Sequence, residues 1–286
     1  MTLYQLAQRP ELESPTAIVA FDGWVDAGSA ATTAGSLLAE GGEVVATFDN
    51  DLLFDYRSRR PVLEIVDGRP SELTWPEIAL RRRRLGRRDL LVLTGHEPDY
   101  RWRALAEDVV ALAKELGVVE WISLGAIPAA VPHTRAVPVL GTESRTGLLR
   151  GDVTPGPVGL LRVPAALVSV LDMAVAATGI PALGYFAQIP HYVTGPYPTA
   201  ALALLEAVGA HLDGQLELAP LRVESRELRA RLDAAAAADE NTRSYVARLE
   251  AMADEERLPA GDDLISDIER FLRERGAPGG EGTLLN

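Results

Sequence analysis

Three of the four histidines in this 286-residue chain follow apolar runs, in Thr94–Asp99 (TGHEPD), Gly125–Arg135 (GAIPAAVPHTR) and Gln188–Pro198 (QIPHYVTGPYP). A fourth such segment, Phe21–Gly28 (FDGWVDAG), carries Asp22 and Asp26. An imidazole held by a carboxylate can take a proton from water or a hydroxyl, the general-base step of a hydrolase or phosphorylase. The candidate catalytic set is therefore Asp22, His96, Asp99, His133 and His191, with Asp22 or Asp99 orienting one ring. Glu97, Arg135 and Tyr192 stand beside them. A nucleoside-like small molecule is the substrate class considered.

The companions that such chemistry needs do not appear in the sequence. No serine sits in a G-x-S-x-G elbow, and the chain has no cysteine, so thiolate chemistry and disulfides are excluded. No histidine pair has i,i+4 or H-x-H spacing, and no metal site is expected. Gly23 and Gly28 have P-loop spacing, but Ser29 and Ala30 stand where lysine and Ser/Thr belong, and Asp22 and Asp26 add negative charge. The dinucleotide pattern G-x-G-x-x-G is absent, and no cofactor is expected. The same residues can instead cap helices and anchor loops, and that reading is preferred.

These segments belong to an alternating pattern of strands and helices. Ile18–Phe21 reads as a buried strand, stopped by Asp22-Gly23, and Asp26-Ala27-Gly28-Ser29 opens an alanine-rich helix. Strands follow over 43–48 and 61–66, with residues 49–60 as a polar connection between them. Leu73–Leu85 alternates like a hairpin at a sheet edge. After a strand over 89–93, Asp99 is placed to cap a helix that Gly117 closes. Further strands are expected over 118–124 and 181–186, short ones between 138 and 161, and helices over 164–178 and 199–212. Loops after parallel strands gather at the carboxyl edge of a sheet. The pattern predicts a three-layer α/β/α domain with a mostly parallel or mixed sheet over residues 1–221.

From residue 222 the composition turns to charge and helix formers. Leu228 with Leu232, and Tyr245 with Leu249 and Met252, lie at helical spacing. A last amphipathic helix is expected from Gly261-Asp262-Asp263 to Gly276, its stripe of Leu264, Ile265, Ile268, Phe271 and Leu272 folding back on Tyr245–Met252. Residues 222–276 form a helical extension and 277–286 a disordered tail.

The net charge of −13 argues against nucleic acid or anionic membranes as partners. The run Arg81–Arg84, with Arg87 and Arg88, is read as a solvated strand or hairpin face. Val163–Ala177, the longest apolar stretch, is broken by Asp172 and too short for a bilayer, and the first fifteen residues lack a secretory pattern. The expectation is a cytoplasmic protein. Apolar helices around Leu167–Val175 and Ala201–Val208 offer more hydrophobic surface than one sheet face needs, which predicts a homo-oligomer.

FDGWVDAG resembles the F-x-G-x-x-x-x-G opening of the proteasome assembly chaperone 2 (PAC2) family. The resemblance continues through VLTGHEPDYRW, SLGAIPAAVPHTR, GPVGLLRVPAALVSVLDMA and GYFAQIPHYVTGPYP, covers about residues 1–215, and extends to a helical addition of actinobacterial type. It implies a phosphorylase/hydrolase-like fold, self-association commonly as trimers, and a chaperone or adaptor role, with proteasome subunits or another complex as partner. Some archaeal relatives engage proteasome rings through a C-terminal hydrophobic–tyrosine–any-residue tail. Here Leu284-Leu285-Asn286 puts leucine in the tyrosine position.

Overall fold

Every residue of the strand Thr16–Phe21 is buried, because it lies in the middle of the sheet with helices over both faces. The computed structural model describes residues 2–157 and 159–256. In chain order the elements are β1 (Tyr4–Leu6), β2 (Thr16–Phe21), a 3-10 turn (Ala27–Ser29), α1 (Ala30–Ala39), β3 (Glu43–Phe48), α2 (Asn50–Leu53), β4 (Val62–Val66), β5 (Arg69–Thr74), β6 (Ile78–Leu85) and β7 (Arg88–Gly95). There follow α3 (Trp102–Glu115), β8 (Glu120–Ala129), β9 (Val139–Glu143), β10 (Thr154–Pro155), α4 (Leu167–Ala176), β11 (Ala182–Pro190), α5 (Pro198–Leu212), α6 (Ala219–Ala238) and α7 (Glu240–Glu256).

The described strands form a mixed sheet in the order β1-β3-β6-β7-β2-β8-β11-β9-β10. Its centre, β7-β2-β8-β11, is parallel, while β1, β3 and β6 on one flank and β9 on the other run antiparallel to their inner neighbours. Helices α3 and α4 cover one face, packing Leu105, Leu112, Leu167 and Leu171 against Val19, Leu93 and Trp121. Helices α1 and α5 cover the other, where Ala34, Leu204 and Val208 meet Ile18, Val92 and Ile122. Three layers around one sheet result.

Small residues set the close approaches. Gly35 in α1 lies so near β2 that an added Cβ would meet Ala20 Cβ at 2.7 Å. Gly117 ends α3 in the left-handed conformation at φ +68°, with its N–H on the Lys114 carbonyl and that of Val118 on Ala113. Those two bonds satisfy carbonyls that the helix leaves open.

Several local expectations need correction. Leu73–Leu85 is not one hairpin at a sheet edge. Pro76 cannot donate to a ladder and separates two strands: β5 pairs with β4 in a separate two-stranded sheet, and β6 lies inside the main sheet between β3 and β7. The connection 49–60 holds a helical turn, α2, where the Asp49 carboxylate accepts from Leu52 N–H. Asp99 does not cap α3; Arg101, at φ +60°, occupies the N-cap position. Strand β11 runs on to Pro190. The arginine run is only partly a solvated face: Arg82 pairs with buried Asp89 at 2.8 Å, and Arg83 donates to the Leu37 carbonyl at 2.7 Å. On α7, Val246 and Leu249 are buried while Met252 is exposed. The expected helix over 262–276, its stripe and the tail lie outside the described residues.

Candidate functional site

The four loops singled out by sequence follow β2, β7, β8 and β11, so they leave the carboxyl ends of the four parallel strands. The candidate residues separate there into two clusters, one on the loops of β2 and β7 and one on those of β8 and β11.

In the first cluster, Asp22 Oδ2 accepts from His96 Nδ1 at 2.6 Å and from Arg59 Nη1 at 2.6 Å. Its Oδ1 accepts the backbone N–H of Glu97 at 2.9 Å. Burial pushes the Asp22 carboxyl up, but the bonds from His96 and Glu97 and the charge of Arg59 outweigh it and hold it below the usual carboxylate range. Arg59 Nη1 also lies 3.1 Å from His96 Nδ1, but the shorter contact to the Asp22 carboxylate assigns the ring hydrogen to Nδ1 and leaves Nε2 as the acceptor. Gly23, at φ +126°, lies against Glu97, whose Oε2 would stand 2.7 Å from an added Cβ. Glu97 Oε1 in turn accepts the first N–H of α4, from Leu167, at 2.6 Å. Asp26 ties down α1, accepting from Ala31 N–H, Thr32 N–H and Thr32 Oγ1 at 2.6–3.2 Å. Its three bonds go to the chain's own donors, the bend-forming alternative to a phosphate cradle.

This cluster is also the root of the β4–β5 hairpin. Arg59 lies in the segment leading into β4. Asp99 Oδ2 accepts the backbone N–H of Asp55 at 2.8 Å in the same segment. Phe54 is buried and stands edge-on to the His96 ring at 6.4 Å. Tyr56 packs on Trp75, just after β5 on the returning chain, with ring centroids 4.7 Å apart. At the end of β7, Gly95 has φ +155°, and an added Cβ would lie 2.2 Å from the Glu77 carbonyl oxygen. Only glycine lets the returning chain pass so close.

The hairpin itself touches little else. All residues of β4 and β5 are exposed. The register pairs Leu63 with Leu73 and, across an irregularity at Ser71, Ile65 with Pro70, so that these two apolar pairs follow the alternation of β4 onto one face. Glu64, Glu72, Thr74 and Arg69 share the other face with Val62 and Val66.

In the second cluster, the Tyr192 hydroxyl accepts the backbone N–H of His133 at 2.8 Å and lies 2.7 Å from its Nδ1. The tyrosine therefore donates to Nδ1, and the ring carries its hydrogen on Nε2, 3.3 Å from Asp233. Burial holds the His133 imidazole below its usual range, against the pull of Asp233. His191 donates from Nδ1 to the Ala129 carbonyl at 3.0 Å, and its Nε2 accepts from Tyr245 at 3.0 Å. Arg135 forks onto Asp254 at 2.9 and 2.8 Å and reaches Glu250 at 3.1 Å. Thr134 bonds Glu250, and Arg229 donates to the carbonyls of His133 and Thr134 at 2.9 and 3.1 Å. Asp233, Arg229, Tyr245, Glu250 and Asp254 all come from α6 and α7, so this cluster clamps the two helices over the loops of β8 and β11.

The structure thus joins Asp22 to His96 and places Asp99 beside them at the hairpin root, but sets His133 and His191 in the separate clamp. Among the described residues no group of three His, Cys, Asp or Glu could hold a metal ion. Sequence reasoning missed Arg59, one of several charges in an aperiodic connection. It also gave no role to Asp172, whose oxygens accept from Trp121 Nε1 at 2.8 Å and Ser123 Oγ at 2.7 Å. Burial pushes that carboxyl up to about 7. The break it makes in an apolar helix was the available signal.

Fold and carboxyl edge together define an α/β/α protein whose strand ends carry an exposed hairpin on one side and a helical clamp on the other. The chain belongs to the PAC2 family, whose family model matches residues 20–236. A Corynebacterium glutamicum protein of unknown function is 32% identical, at a TM-score of 0.83, over 89% of this chain and 98% of that one. The Mycobacterium tuberculosis protein of unknown function Rv2714 is 33% identical, at 0.81, over 94% and 92%. The proteasome-assembly chaperone homologue Rv2125, also from M. tuberculosis, is 32% identical, at 0.73, over 81% and 99%. Among curated proteins nothing matches the chain.

Proposed function

We propose that this protein is a self-associating, non-enzymatic assembly chaperone or adaptor of the PAC2 family, acting in the cytoplasm on a proteasome-related complex and working as a homotrimer. The observation that carries this reading is the use made of the strand-end polar groups. Asp22, His96 and Asp99 bind Arg59 and the backbone of the segment leading into an exposed apolar hairpin. His133 and His191 bind Tyr192, Tyr245 and backbone under the helical clamp. A protein that presents surfaces to partners needs such mounts, whereas an enzyme needs the same groups free to face a substrate. Kinship with a proteasome-assembly chaperone homologue supports the choice of partner. Residues 1–221 would form the shared α/β/α unit and 222–276 a helical extension.

The test is affinity capture of the tagged chain from its native cytoplasm, with and without residues 277–286. Recovery of proteasome subunits supports the reading, and their absence from both captures counts against it.

One observation favours a second reading. Asp22 holds His96 by Nδ1 and leaves Nε2 open, the arrangement of a general base acting on water. A nucleoside hydrolase or phosphorylase would show turnover on a nucleoside panel, with or without phosphate, that His96→Ala abolishes without lowering the melting temperature.

A further inference from the structure

Asp172 belongs to neither strand-end cluster. It lies in the second turn of α4, and its oxygens accept from Trp121 Nε1 and Ser123 Oγ on β8 at 2.8 and 2.7 Å. Each carboxyl oxygen has two acceptor positions, so one on each is left for a further donor. Both present donors are neutral and leave the charge of the group without a counter-charge. Burial accordingly pushes the carboxyl up to about 7. An acid kept at such a cost beside a cavity marks a place where a ligand is held.

The cavity is a groove of about 280 Å³ between α4 and β9, with Ser169, Asp172 and Met173 on the helix wall and Thr142, Ser144 and Phe186 on the sheet side. Gly184 makes the room. A Cβ added there would meet the Phe186 ring at 2.7 Å and the hydroxyl oxygens of Ser123 and Thr142 at 2.9 Å. With no side chain at that position, the ring lies over the strands and the two hydroxyls converge above β11. Ser144 Oγ accepts the Ala182 N–H at 3.1 Å and keeps a second lone pair. The volume equals about nine waters, which holds a molecule of about eight to ten non-hydrogen atoms. An apolar wall, a few convergent polar groups and a perturbed acid are the usual parts of a small-molecule site.

We infer that the α4–β9 groove binds a small organic cation, a protonated amine on an apolar body, with Asp172 taking the ammonium and Phe186 and Met173 the body. The lining decides the sign of the ligand. Among the described residues that line it, the charged ones are Asp172 and Glu143, with no lysine or arginine. Backbone N–H bonds from Leu149, Leu148 and Gly147 hold the Glu143 carboxyl below the usual range, so it stays ionised. An anion would meet two acids and no counter-charge. An ammonium instead finds the open acceptor positions of Asp172 and the electron-rich face of an aromatic ring. Met173, 76% exposed at the lip, supplies an adaptable apolar edge. The chain's net charge of −13 also draws cations toward its surface. The site lies within one copy and does not depend on the self-association proposed above.

The test is titration calorimetry of the full chain at pH 8, where Asp172 is ionised, with benzylamine and with benzyl alcohol as its uncharged counterpart. Benzylamine should bind about ten- to hundredfold more tightly, the usual worth of hydrogen bonds to a charged group. Asp172→Asn, its fold checked by the melting profile, should bring the two affinities together, because the apolar walls are unchanged. Ser169→Leu, at a half-buried position on the helix wall, fills the groove and should weaken both probes alike. Equal wild-type affinity for the two probes, a preference for the amine that survives Asp172→Asn, or no binding of either at millimolar concentration overturns the inference.

Discussion

At the scale of single residues, the perturbed carboxylates Asp22 and Asp172 have opposite effects on stability. Asp22 is held below the usual range, so its contribution is present above the unfolded value near pH 4 and is lost as the pH falls further. Asp172, pushed up to about 7, keeps a proton in the folded protein that the unfolded chain has released above about pH 4. Its effect is fully favourable below that point, declines as the pH rises to 7, and stays level beyond. Asp172→Asn should therefore stabilise the protein more at pH 8 than at pH 5, by up to about 3 kcal/mol, in denaturant unfolding at the two pH values. At the clamp, Tyr192→Phe strands both the backbone N–H and Nδ1 of His133. Chemical denaturation should show a loss of about 1–3 kcal/mol. Removing Arg59 instead breaks a half-exposed ion pair and should cost only about 1 kcal/mol, with the main effect a faster proteolytic cut within residues 54–77.

Among the elements, Gly95 at the end of β7 carries the tightest requirement. Gly95→Ala would press a methyl group on the Glu77 carbonyl at a φ that alanine avoids, and thermal melting should fall by the equivalent of more than about 1 kcal/mol. The central strands were legible because β2, β7, β8 and β11 are mainly apolar runs near Gly, Pro or Asp, although β8 continues to Ala129 through residues read as loop, and the turn residues were legible through Gly23, Gly28 and Gly117. The β4–β5 hairpin was not. Leu73, Ile78 and Leu80 alternate plausibly across Pro76, and periodicity alone cannot tell one hairpin from two unrelated strands. The loop histidines were legible as a set at one edge of the sheet, since topology sends parallel strand ends there. Their division into two clusters was not, because it depends on which strands are neighbours. The order β7-β2-β8-β11 is invisible in a linear reading. Arg59 was hidden for a related reason: its partner Asp22 lies on a loop far away in sequence.

For the whole molecule, the net charge of −13 sets conditions on assembly. Copies of an acidic protein repel each other over a distance that salt shortens, from a Debye length of about 30 Å at 0.01 M to about 3 Å at 1 M. The self-association proposed above should therefore persist to greater dilution in 0.5 M than in 0.02 M sodium chloride, as sedimentation velocity would show; a contact built on ion pairs would behave the other way. The position of β2 has a further consequence, in time and not in space. Its partners are β7 and β8, which are made only after some seventy to one hundred further residues have joined the chain. Until then the most apolar strand of the protein has no ladder on either side, and Asp22 has no His96 to hold. Folding is thus paced by closure of long loops, which slows it and leaves sticky edges open on the ribosome. The hairpin root is completed late, once the stretch through Asp99 has folded back on Asp22. The exposed hairpin is consequently set in place only after the sheet centre has formed, so its apolar side chains are presented by a chain that already has its native core.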